Sequence, residues 1–333
     1  MVRLLLTRRR LLRALALTSI ATAPAPDMRP IRGRAQALSG DPAATPFPAH
    51  GQPPYLVEPG VARGLRESHS SSIVFLDLSP LRPYREKHVA GAYHAWWQDT
   101  MEVNFPVYGT VLRPEAPGVQ ERRRQLLHDL GITDTTFVVA YDNDRNRWAA
   151  RMVWFLRFLG HDQAAVLDGG LAGWRDAGGD MAGGESPTPP SESAQPTISP
   201  RDGYYIWTQQ LQDLIGSPGV ALVDIRTDDE ARDTVNGQLP LGRIPGAISI
   251  PWTSAIHDNA GHLKPVADLE ALFADKGVTR DKTIVVYARF GVEAAYGWWV
   301  LKLLAYPNVV TYDWGWAGWS TTPGLPIAPL DSP

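Results

Sequence analysis

The segment TIVVYARFGVEAAYGWW, residues 283–299, reads as three pieces in succession. TIVVY is apolar throughout and of strand length, as expected for a strand covered on both faces. A tight loop follows, carrying Gly291. From Glu293 the spacing of apolar residues is helical and runs on to Tyr306, and an acid at its start suits the helix dipole. Parallel α/β sheets place ligands where a strand feeds a helix in this way. Yet the loop opens on Ala288, whose methyl group has no reactive chemistry.

The same arrangement occurs earlier in the chain. TFVVAYDN (136–143) leads into the helically spaced AARMVWFLRFLGH (149–161). Further blocks repeat. SIVFLDLSP (72–80) matches GVALVDIRT (219–227), HVAGAYHAWW (88–97) matches RIPGAISIPW (243–252), and AAVLDGGLAGW (164–174) matches NVVTYDWGWAGW (308–319). Pairing Asp77 with Asp224, Tyr141 with Tyr287 and Asp168 with Asp313 gives offsets of 147, 146 and 145. A constant offset over several blocks predicts a duplicated domain. In each copy short Val/Ile-rich runs alternate with helical segments. The expected class is therefore α/β, two tandem domains over 55–178 and 204–330, each a mainly parallel sheet flanked by helices. Residues 179–203 are rich in Gly, Pro and Ser and read as a linker, and 40–54 has similar composition.

Composition narrows the functional classes. A chain of 333 residues suits about two domains. Its 44% hydrophobic and 20% charged content is that of a soluble globular protein. The net charge of −3 calls for neither nucleic acid nor an acidic membrane surface as partner. No cysteine is present, so disulfides, thiolate metal sites and cysteine nucleophiles are excluded. No cofactor is expected.

The first forty residues read as an export signal. Thr7-Arg8-Arg9-Arg10-Leu11-Leu12-Arg13 resembles the bacterial twin-arginine motif, and Ala14–Ala23 is too short to span a bilayer. Ala35-Gln36-Ala37 and Ala21-Thr22-Ala23 are alternative cleavage sites. A transit segment or a misplaced start is the competing reading. The expected location is periplasmic or secreted, with no stable membrane insertion.

Together the blocks resemble the tandem rhodanese-type sulfurtransferases, the thiosulfate and 3-mercaptopyruvate sulfurtransferase family, over about residues 55–325. Tyr84-Arg85-Glu86-Lys87-His88-Val89-Ala90-Gly91-Ala92 is similar to the family's aromatic-x-x-x-His-Ile/Val-Pro-Gly-Ala pattern, and Val309–Trp316 to its C-terminal one. The resemblance implies a fold of two rhodanese-like domains and a chemistry in which a cysteine thiolate takes a sulfane sulfur and passes it to cyanide or a thiol. That cysteine opens a Cys-Arg/Gln-x-Gly-x-x-Ala loop in the second domain. Here the loop is Ala288-Arg289-Phe290-Gly291-Val292-Glu293-Ala294, complete except for the nucleophile. The first domain carries Asp142 at the equivalent position, and the family's first domain is commonly inactive in this way.

What the loop can still do follows from its backbone. A loop wrapped at a helix N-terminus turns successive N–H groups inward and favours an anion. Gly291 is expected to permit a turn that a side chain would resist. Glu293 stands where an Arg or Thr is often found; it either repels an anionic donor, fills the anion site itself, or simply favours the first helical turn. Arg289 either holds a sulfonate or carboxylate or pairs with a loop acid. Arg243 replaces the usual His before Ile-Pro-Gly-Ala. His257 and His262 have metal-like spacing without a third ligand, and no metal site is expected. Trp96-Trp97 and Trp298-Trp299 read as packing, one of them a candidate lining of the interdomain cleft. The expected ligand is a small sulfur-containing anion, with a thiol or protein as acceptor.

Two functional readings follow. One is a sulfurtransferase that is inactive as written; the other is an exported, non-catalytic module binding a sulfur oxyanion or a partner protein. The alanine itself reflects replacement of a lone catalytic cysteine, its natural loss, or a sulfur transfer that proceeds without it, the last chemically remote. The export signal and the absence of a tag favour natural loss.

Overall fold

A computed structural model describes residues 54–69, 71–100, 118–189, 195–235 and 237–330. The expected export segment and its cleavage sites lie outside them, as do 101–117 and 190–194. The first half runs β1 (Leu56–Val57), α1 (Pro59–Ser68), β2 (Ile73–Asp77), α2 (Leu81–Glu86), β3 (His88–Val89), β4 (Tyr93–His94), α3 (Val119–Asp129), β5 (Phe137–Tyr141), α4 (Arg147–Phe158), β6 (Ala164–Leu167), α5 (Gly170–Asp176) and β7 (Met181–Ala182). The second runs β8 (Tyr205–Ile206), α6 (Thr208–Leu214), β9 (Val220–Asp224), α7 (Asp228–Arg232), β10 (Ile248–Ser249), α8 (Val266–Ala274), β11 (Thr283–Tyr287), α9 (Gly291–Leu303), β12 (Val309–Tyr312) and α10 (Gly315–Thr321).

The two sheets have the same strand order. One is β1-β6-β5-β2-β4 and the other, read from its opposite edge, is β8-β12-β11-β9-β10, with every pair parallel. The central strands β5 and β11 are FVVAY and TIVVY, the runs expected to be buried on both faces. All five residues of β5 and four of five in β11 are buried. The repeat extends to the hydrogen bonds that close each sheet. Tyr287 Oη donates to Asp224 at 2.8 Å and accepts from the Ile244 N–H at 3.2 Å. Tyr141 likewise accepts from the Val89 N–H at 2.9 Å, and burial, then the nearby Asp77 carboxylate, raises its pKa.

The stretch expected as a linker begins with structure. Met181 and Ala182 form β7, antiparallel to β3, and farther on Ser199 and Arg201 donate backbone N–H groups to Leu159 and Phe158. Composition predicts no core from so few apolar residues, but an edge pairing requires only backbone groups.

The halves meet along α4 and α9, which pack on each other. Trp154 and Phe158 of α4 and Trp298 and Trp299 of α9 are all at most 2% exposed and share one core cluster. Tyr204 bridges them, with its ring 6.1 Å from Trp154 and 5.4 Å from Trp298. Trp299 also donates its indole N–H to the Tyr55 carbonyl at 2.6 Å, across the seam. Each such buried ring contributes on the order of 1.5–3 kcal/mol over exposure, so this seam outweighs the connecting chain in holding the halves together.

Candidate functional site

β11 ends at Tyr287 and the loop 288–290 delivers the chain directly into α9. Ala288 is 2% exposed and belongs to the core cluster. Its carbonyl, with that of Arg289, accepts the Trp316 and Ala317 N–H groups of α10 at 2.8 and 3.0 Å. The loop is thereby tied down on its carbonyl side, which leaves its N–H side for the site.

Gly291 is required for a reason other than the one expected. It does not adopt a left-handed conformation. Instead a Cβ at that position would lie 1.7 Å from the Asp313 carbonyl oxygen, so close approach of the β12–α10 turn excludes any side chain. The wrapped loop foreseen for this junction is present in the first half. There Arg145 and Asn146 take φ values of 58° and 64° before α4 begins. Four N–H groups converge on the Asp142 carboxylate: Asp144 and Asn146 at 2.7 and 2.8 Å on one oxygen, Trp148 and Ala149 at 2.8 and 2.9 Å on the other. The residue at the nucleophile's position in the first half is thus its own bound anion. Burial raises its pKa to about 6, against the opposing pull of those amides.

In the second half the helix starts two repeat positions earlier, at Gly291, and Glu293 falls in its first turn. The Phe290 N–H, at the helix start, favours the ionised form of the Glu293 carboxyl. The helix-start and anion-site readings of Glu293 thus fall at the same end of α9. Arg147 of α4 approaches Glu293 at 3.7 Å and Glu230 of α7 at 3.3 Å, and bonds Asp144 at 2.7 Å. Its guanidinium lies over the Trp148 and Trp252 rings. Glu230 also accepts the Trp252 indole N–H at 3.4 Å and caps its own helix through Thr227. Burial, then the Glu230 charge, raises Glu293 to about 7; Arg147, Arg289 and the Phe290 N–H pull it down.

Arg289 pairs with Asp233 at 2.8 Å and donates to the Glu230 carbonyl at 3.1 Å, the loop-acid pairing of the two alternatives. The Nε atoms of both Arg147 and Arg289 are buried without a hydrogen-bond partner. Phe290 packs against the core below α10 and Ala294 is fully buried, while Val292 contributes its backbone to α9. The seven predicted positions therefore lie together at one junction. Sequence reading missed Arg147, Glu230 and Asp233. The repeat held a signal for the first, because Arg147 stands five residues after Asp142 as Glu293 stands five after Ala288.

Other candidates lie elsewhere. His262 bonds Asp258 at 2.8 Å and its ring packs against Gly169 of the first half; among the described residues no group of three or more His, Asp or Glu could hold a metal ion. Trp298 and Trp299 are core, and Trp96 lies 5.9 Å from Trp148. Arg243 bridges to Ala328 through its backbone and to the Leu330 carbonyl through its guanidinium. A cavity of about 190 Å³ opens beside Asp142 and Gly169, not at Ala288. Asp313 reaches across the seam to Arg151 at 3.1 Å, and its repeat partner Asp168 crosses the other way to the Leu263 N–H at 3.4 Å.

Duplicated parallel sheets with strand–loop–helix junctions facing a common seam define a tandem α/β protein of the sulfurtransferase kind. The rhodanese-like domain model matches residues 62–177 and 208–322, and the chain belongs to that family. It is 32% identical over 259 residues to the sulfur carrier protein TtuD of Thermus thermophilus, covering 74% of this chain and 86% of that protein. It is 28% identical over 259 residues to the 3-mercaptopyruvate sulfurtransferase of Escherichia coli O157:H7, covering 76% of this chain and 88% of that one. The crystal structure of SseA from Escherichia coli superposes with a TM-score of 0.65 at 24% identity, covering 79% of this chain and 99% of that one.

Proposed function

We propose that this rhodanese-family protein performs no sulfur transfer and serves as an exported module that binds a small sulfur-containing anion at the second-half loop. The observation that carries this reading is the alanine that stands where the family has its thiol, in a loop flanked by Arg147, Arg289 and Glu293. Sulfur transfer needs a group that can accept and release a sulfur atom, and Ala288, Arg289 and Phe290 supply none. Recognition of an anion needs only donors, and the site retains the Phe290 N–H and Arg289 of the loop and Arg147 of α4. The relatives named as a sulfur carrier and a 3-mercaptopyruvate sulfurtransferase make a sulfur anion the ligand class to test first. Export rests on the twin-arginine-like segment and is tested by fractionating cells that express the full chain.

The test is direct. Purified protein incubated with thiosulfate and cyanide forms thiocyanate no faster than buffer, while calorimetry detects thiosulfate binding. Sustained turnover contradicts the proposal, and so does an absence of binding at every pH between 6 and 8.

A further inference from the structure

The charges that face Glu293 come from four elements. Arg147 reaches it from α4, Glu230 from α7 and Arg289 from its own loop, while Asp144 and Arg145 stand behind Arg147 on the first-half loop and Asp233 behind Arg289. With every group ionised, three arginines meet four acids. The side chain of Glu293 is only 16% exposed, so this imbalance is poorly screened by solvent. An added anion would meet a carboxylate on the amide it needs and a surplus of negative charge around it. If Glu293 carries a proton, the count becomes three against three. Its oxygen then no longer draws on the Phe290 N–H as an anion, and Arg147 at 3.7 Å faces a neutral neighbour.

We propose that Glu293 makes anion capture at this loop proton-coupled: the site takes one small, fully ionised sulfur oxyanion together with one proton, which resides on Glu293 in the bound state. The inference rests on the anion-binding reading above and adds its regulation. Proton and anion enter together, no covalent bond forms or breaks, and release of the anion returns the proton to water. Because the free carboxyl titrates near pH 7, the coupling operates across the neutral range. The site is thereby closed to anions in alkaline surroundings and open in mildly acidic ones.

Thiosulfate is the probe, since it stays fully ionised from pH 6 to 8 and contributes no proton of its own. Calorimetric titrations in two buffers of different ionisation enthalpy measure the protons taken up. For the unmodified protein, affinity falls about tenfold per pH unit above pH 7 and levels off below it, with uptake approaching one proton per anion at pH 8. Glu293→Gln keeps the size and hydrogen-bonding oxygen of the side chain and gives binding that is independent of pH, without that uptake. Thiosulfate binding by the unmodified protein with a flat pH profile and no proton uptake overturns the coupling while leaving anion binding standing. Failure of both proteins to bind at any pH overturns the anion-binding reading and the coupling with it.

Discussion

Arg147 and Glu293 occupy the same position of the two repeated halves and face each other at 3.7 Å across the seam. In a symmetric duplication identical residues would meet there, and any charged residue would confront its own like. Divergence to opposite charges converts that repulsion into an ion pair, and the pair closes over the second-half loop. Arg147→Glu is expected to destabilise the fold by about 1–3 kcal/mol, since three partly buried acids, Asp144, Glu230 and Glu293, already surround it. The charge-swapped double variant Arg147→Glu/Glu293→Arg is expected to recover a large part of that loss. Urea titration of the four proteins measures the coupling, and strict additivity would show that the pair is not energetically real.

Stability against pH carries a second prediction. Glu293 holds its proton more tightly when folded than when unfolded, where an ordinary carboxyl titrates at 4.5. A folded state that binds more protons loses stability as pH rises, here from about 4.5 through about 7, and the loss is complete above that range. Glu293→Gln, which cannot ionise, is expected to be more stable than the parent at pH 8 by about 1–3 kcal/mol and equal to it at pH 4.5. Thermal unfolding at both pH values checks the crossover; a constant difference would place the effect elsewhere.

Arg151 and Asp313 form the most buried ion pair across the seam, with side chains 0% and 4% exposed at 3.1 Å. Removing one partner strands the other away from water. Arg151→Met is expected to cost about 3–5 kcal/mol, and Arg151→Met/Asp313→Asn distinctly less, because the second change removes the stranded charge. Denaturant midpoints decide between these outcomes.

Gly291→Ala places a methyl group within 1.7 Å of the Asp313 carbonyl, both of which are backbone-fixed. Neither can yield without moving β12 or α9. A destabilisation of at least about 2 kcal/mol is expected. A neutral effect in urea unfolding would mean that the junction is looser than its geometry implies.

Much of this was legible in the residues. Offsets near 146 between Asp77 and Asp224 or Tyr141 and Tyr287 reflect a tyrosine hydroxyl that accepts a backbone N–H in both halves, so the duplication is written in side chains that close each sheet. TFVVAY and TIVVYA showed buried strands because both faces must be apolar. The helix start at Gly291 was not legible, because it depends on Asp313 arriving from 22 residues away in sequence and pressing on the loop. Nor was the converging set of amides around Asp142, which requires two non-glycine residues in the left-handed region; Asn146 tolerates it, while Arg145 gives no signal. Arg147 escaped notice for a related reason: its partners lie in the other half, and only the packing of α4 on α9 brings them together.

The central claim is that the second-half loop has lost its nucleophile and that Glu293, while ionised, opposes an anion at the position behind it. The most direct measurement compares thiosulfate-to-cyanide sulfur transfer by the parent, Ala288→Cys and Ala288→Cys/Glu293→Thr. The account predicts no turnover for the parent, little for the single variant, and at least tenfold more for the double variant. Full activity from Ala288→Cys alone would show that Glu293 does not block the loop, and turnover by the parent would contradict the account altogether.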